Sequence, residues 1–91
     1  MTVKEIKGFT CLGIKLWKVD DMFLKEMGYE FSEVFPKTSA GKEYIDFPFK
    51  AIKKETEKAV LLSITRSTFA KGREGEVEYW IPKSAIEGIE G

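Results

Sequence analysis

Two short runs near the end of this chain constrain its fold more than anything else in it. Across Lys58–Arg66, Val60, Leu62 and Ile64 alternate with Ala59, Leu61, Ser63 and Thr65. Across Glu76–Ile81, Val77, Tyr79 and Ile81 alternate with Glu76, Glu78 and Trp80. A period of two sends successive side chains to opposite sides of a strand, so each run reads as a strand. Ser67–Gly75, with two glycines, reads as the loop between them. Pro82 has no amide hydrogen to give a ladder and ends the second strand. Lys83–Ile86 then reads as a single helical turn and Ile86–Ile89 as a last extended piece.

Upstream the pattern is less regular. Phe9–Val19 carries large apolar residues at both odd and even positions, which predicts a strand buried on much of both faces. Asp20 offers a helix N-cap, Asp21 a favourable charge beside it, and Val19 with Leu24 a hydrophobic staple. Phe23, Leu24 and Met27 follow at helical spacing, and Gly28 can close the helix left-handed. A short helix over Asp21–Met27 is the expectation. Tyr29–Phe35 reads as a strand or an irregular turn, and Pro36–Lys42 as a loop. Tyr44–Lys54 resumes strand character, with Pro48 marking an edge or a bulge, and Lys53–Glu57 forms a polar turn. Curled strands in sequence, closed by a turn and a final strand, suggest an α+β domain. Its antiparallel sheet is expected to be barrel-like, of SH3-like type, with one short helix after the first strand. An open sheet covered by that helix is the second architecture.

At 91 residues the chain has the size of one domain. The 15 basic and 15 acidic residues cancel, so nucleic-acid binding would need a local patch rather than a general positive charge. No apolar run approaches the roughly 20 residues of a membrane helix, and Met1–Lys7 lacks the apolar stretch of a signal peptide. A cytoplasmic protein with no membrane partner is expected. Histidine is absent, which removes the commonest general base and metal ligand. Neither catalysis, a cofactor nor a metal site is expected. Asparagine and glutamine are absent as well, while lysine and glutamate are abundant, a composition that suits a thermophile.

The run Glu55-Thr56-Glu57-Lys58-Ala59-Val60-Leu61-Leu62, followed by Trp80-Ile81-Pro82-Lys83-Ser84-Ala85-Ile86, resembles a pattern in short phage, prophage and archaeal proteins of uncharacterised function. The resemblance spans about Ile45–Ile86. It implies a fold and a phage, viral or thermophile origin, and is silent on activity. The loop Ser67–Gly75 is longer than in that pattern. The Trp-x-Pro portion is also similar to the end of SH3-like domains, where an aromatic and a proline precede a short helical turn.

Two surfaces are candidates for binding. Arg66, Phe69, Lys71 and Arg73 place the chain's two arginines, a lysine and an aromatic in one loop. Cations neutralise phosphates and an exposed aromatic stacks on a base, so this loop, extended by Lys50, Lys53, Lys54 and Lys58, suits weak nucleic-acid binding. The competing reading folds Phe69 back onto the sheet and leaves a solvated loop. The second surface joins Trp80, Pro82 and an aromatic such as Trp17 or Tyr79 into a groove for an extended peptide, and a protein partner or second copy would use this face or an open strand edge. There too a bland reading competes, with Trp80 and Pro82 closing the core. Cys11 among apolar neighbours reads as a small buried hydrophobe.

Overall fold

The computed structural model describes residues 11–87. Five strands and three helices are laid out in the order β1 (Cys11–Lys15), α1 (Leu16–Met27), α2 (Phe31–Val34), α3 (Pro36–Ser39), β2 (Tyr44–Pro48), β3 (Ala51–Glu55), β4 (Ala59–Thr65) and β5 (Glu76–Pro82). The fold is α+β. Its strands form two antiparallel sheets, β1-β2 and β3-β4-β5, rather than one closed barrel.

The C-terminal half follows its alternation. Val60, Leu62, Ile64 and Ile81 are fully buried, whereas Glu76, Glu78 and Trp80 face outward. The register sets Leu62 against Tyr79 and Leu61 against Trp80. Thr56 closes the β3–β4 turn, its amide donating to the Ala59 carbonyl at 2.8 Å and its hydroxyl oxygen accepting from the Ala59 amide at 3.1 Å. Lys83–Ala85 form the expected single turn, of 3-10 type.

Chain direction links the two sheets. Only Phe49 and Lys50 separate β2 from β3, and the Lys50 amide already donates to the Ser63 carbonyl at 2.7 Å. Pro48 therefore stands where the chain leaves one sheet for the other. The register irregularity itself falls later, between Ile52 and Lys54. After β5 the chain returns to β1. Ile86 bridges Ile14, and the Glu87 amide donates to the Gly13 carbonyl at 2.7 Å. A Cβ on Gly13 would stand 2.6 Å from the Glu87 carboxylate and 3.0 Å from the Glu87 Cβ, so a larger residue there would push the Glu87 side chain aside.

The N-terminal half departs from expectation. The apolar segment turns helical at Leu16, well before Asp20, because the helix buries Val19, Met22 and Phe23 on one side. Asp20 and Asp21 lie within α1 and do not cap its start; its first turn has no side-chain cap, and the Leu16 amide donates to the Glu43 carbonyl at 3.0 Å. Gly28 does close α1, at φ +84°, its amide donating to the Leu24 carbonyl at 3.0 Å. Tyr29–Phe35 contains a helical turn rather than a strand, and the expected loop after Pro36 begins with another. Cys11 is exposed rather than buried. Residues 88 and 89 of the expected last extended piece lie outside the described residues, as do Phe9 and Thr10.

Aromatic rings fill the space between α1 and the sheets. Phe23 meets Phe69 at 5.0 Å between centroids, Phe31 at 5.2 Å and Phe47 at 6.4 Å. Phe69 also meets Phe47 at 5.7 Å and Tyr79 at 6.1 Å. All of these but the tilted Phe47–Phe69 pair meet edge-on, an arrangement that adds to the burial of the rings themselves.

Candidate binding surfaces

The 66–75 loop is tied to the protein through Phe69 and its two arginines, while Lys71 and Glu74 remain exposed. Phe69, expected as a stacking aromatic, is only 5% exposed, at the centre of the ring cluster. A short 3-10 turn over Arg66–Thr68 aims it inward, and the loop is shut at its base by the Arg66 amide donating to the Gly75 carbonyl at 2.9 Å. Both arginines converge on one carboxylate, Glu26 at the end of α1, whose side chain is 10% exposed. Arg73 Nη2 donates to Glu26 Oε1 at 3.2 Å, and its Nη1 reaches the Glu26 carbonyl oxygen and the Met27 sulfur. Arg66 Nε stands 3.4 Å from the same Oε1 but is not aligned to donate, and this nitrogen is buried without a hydrogen bond. Tyr79 completes the group, its hydroxyl donating to Glu26 Oε2 at 2.8 Å. Burial, and then the negative Glu26 beside it, push the Tyr79 hydroxyl up to about 12.

The lysines expected to extend this surface are partly engaged. Lys50 pairs with Glu76, which also accepts from the Ser63 hydroxyl at 3.0 Å. Lys50 first, and Ser63 after it, hold the Glu76 carboxyl below its usual range. Lys53, Lys54, Lys58 and Lys71 are exposed and have no ion-pair partner among the described residues.

On the outward side of β5, Trp80 is 45% exposed and stands two residues before Pro82. The register puts them opposite Leu61 and Ala59. Beside Pro82 lies a groove of about 350 Å³ lined by Lys58, Pro82, Lys83 and Ser84. Lys83 is held there by its amide, which donates to the Lys58 carbonyl at 2.8 Å, and by its ammonium on Glu55 Oε2 at 2.6 Å. Trp80 and Pro82 therefore do not both vanish into the core. Tyr79 and Trp17 do not join them: Tyr79 points inward to Glu26, and Trp17 lines a different groove on α1 with Asp20, Asp21, Leu24 and Glu30.

Sequence reasoning missed Glu26. Its position two residues before a helix-closing glycine marked it as a helix-end residue, but nothing local announced that two arginines far along the chain would reach it. Among the described residues no group of three or more Cys, Asp or Glu side chains is placed to hold a metal ion, and no helix is long and apolar enough to cross a membrane. No protein-family model, curated protein or solved structure matches this chain.

Proposed function

We propose that the chain is a non-enzymatic interaction module of SH3-like type whose Trp80–Pro82 face takes an extended, proline-containing segment of a partner protein. Strand order supports the SH3-like part. One nearly continuous run, β2 and β3, serves both sheets; β3, β4 and β5 follow as a meander; a 3-10 turn then brings Ile86 back beside β1. That is the order of a small barrel left partly open, with three helices in place of its first loop.

The observation that carries the function is the exposure of Trp80 next to a groove walled by Pro82. A flat aromatic and a proline make an apolar platform that suits a preformed, extended proline-rich helix, which loses little entropy on binding. Nucleic-acid binding is less well supported. Phe69 is unable to stack on a base from inside the core, and Glu26 already neutralises part of the charge on Arg66 and Arg73. That reading is left with Lys53, Lys54, Lys58 and Lys71, together with Lys50, already paired to Glu76.

A panel of proline-rich decapeptides titrated into isotopically labelled protein tests the proposal. Amide shifts should cluster at residues 58–61 and 80–84 and disappear in Trp80→Ala. If no peptide shifts these resonances and sedimentation shows a strict monomer, the face binds neither an extended segment nor a second copy, and the proposal fails. Retained fluorescence polarisation of a labelled oligonucleotide at low salt, lost in Lys53→Glu with Lys71→Glu, would instead favour nucleic acid.

A further inference from the structure

The groove on α1 belongs to neither surface above. Trp17 and Leu24 lie two turns apart on the same side of α1, where residues seven apart align. They are among the most exposed large apolar residues described, Trp17 at 55%. Between and beside them stand Asp20, Asp21 and Glu30, enclosing about 290 Å³. The lining holds three carboxylates and no cationic side chain.

The carboxylates are not equivalent. Asp21 is already engaged, with Lys18 and Lys25 each 3.2 Å from its Oδ2. Burial pushes the Asp21 carboxyl up, but the two lysines outweigh it and hold the group below its usual range. Asp20 is fixed by neutral donors instead: the Ser32 amide reaches Oδ1 at 2.9 Å and the Ser32 hydroxyl reaches Oδ2 at 3.1 Å. Its direction is therefore set while its charge remains uncompensated. The Glu30 carboxylate has no partner among the described residues.

We infer that this groove docks a cationic segment of a partner protein, an arginine or lysine side chain lying along Trp17 and Leu24 with its charged end between Asp20 and Glu30. An indole face attracts a guanidinium or ammonium group, and the apolar stem of such a side chain covers Leu24. The same charges repel phosphates, so a nucleic acid or an anionic membrane is the wrong occupant. The site lies outside the Trp80–Pro82 face and stands or falls separately from it.

Fluorescence anisotropy of labelled hexa-arginine at low salt tests the inference. Saturable binding is expected, weaker by roughly fivefold in Trp17→Ala and again in Glu30→Gln, in keeping with single exposed cation–aromatic and charge contacts. Circular dichroism confirms that both variants fold. Glu74→Gln, an acidic residue outside the groove lining, should bind as the parent does. Absence of saturable binding, unchanged affinity in both groove variants, or an equal loss in Glu74→Gln overturns the inference, because each outcome leaves at most diffuse charge attraction.

Discussion

Phe69 and Trp80 flank the same strand and meet opposite environments. The loop that carries Phe69 is drawn in from three sides: the ring packs among Phe23, Phe47 and Tyr79, and its arginines hold Glu26. Trp80 stands on the other side of β5, with nearly half its surface in water. Burying a ring of this size is strongly favourable, so one left exposed on a sheet face is a candidate contact for something else. The loop with the more suggestive chemistry is structural, and the plainer strand face is the open one.

Substitutions can break that contrast. Phe69→Ala should cost about 3–5 kcal/mol in urea denaturation, the usual range for emptying a packed aromatic site. A loss under about 1 kcal/mol would mean that the ring is not part of the core. Glu26→Ala leaves two guanidinium groups facing each other over a lost carboxylate. Removing one partner of a fully buried pair costs about 3–5 kcal/mol. Because Arg66 and Arg73 are 42% and 37% exposed, solvent should reduce the loss here to about 1–2 kcal/mol. Hydrogen exchange at residues 69–74 should accelerate in that variant; unchanged protection would show that the loop is held by Phe69 alone.

Alkaline pH sharpens the comparison. The Tyr79 hydroxyl ionises near 12 in the folded protein and near 10 when unfolded. Between those values the folded state binds the extra proton, so this group's contribution is complete below pH 10 and is lost as pH rises toward 12. The parent should therefore lose stability across that window more steeply than Tyr79→Phe; parallel curves would remove the Glu26–Tyr79 bond from the account. The smallest change is expected for Trp80→Ala, under about 1 kcal/mol, as for other exposed positions away from the core. A larger loss would make Trp80 a structural residue and weaken the case for its face as a binding surface.

Much of the C-terminal half was legible in its local residue pattern. The alternation in β4 and β5, the stop at Pro82 and the turn at Lys83–Ala85 all appear where that pattern puts them. Of the bland alternative for the basic loop only the inward Phe69 is seen; the loop is not merely solvated, because Arg66 and Arg73 are held on Glu26. Legibility failed in the N-terminal half. Leu16 and Val19 fit a buried strand and a buried helix equally well, since a short apolar stretch has no decisive period. Asp20 and Asp21 looked like a helix start because caps are local motifs. Inside α1 they serve other partners, Ser32 in one case and two lysines in the other.

The amino-acid order alone was enough for an α+β chain with a meander of strands, because a period of two and a proline act over a few residues. Whether its sheets would close, where α1 would begin, and which charges would be neutralised depended on residues far apart in the chain. Glu26 gathering Arg66, Arg73 and Tyr79 is the clearest instance. Ion pairing and burial are properties of distance in space, and a distance of 2.8–3.4 Å between such side chains exists only after the chain has folded.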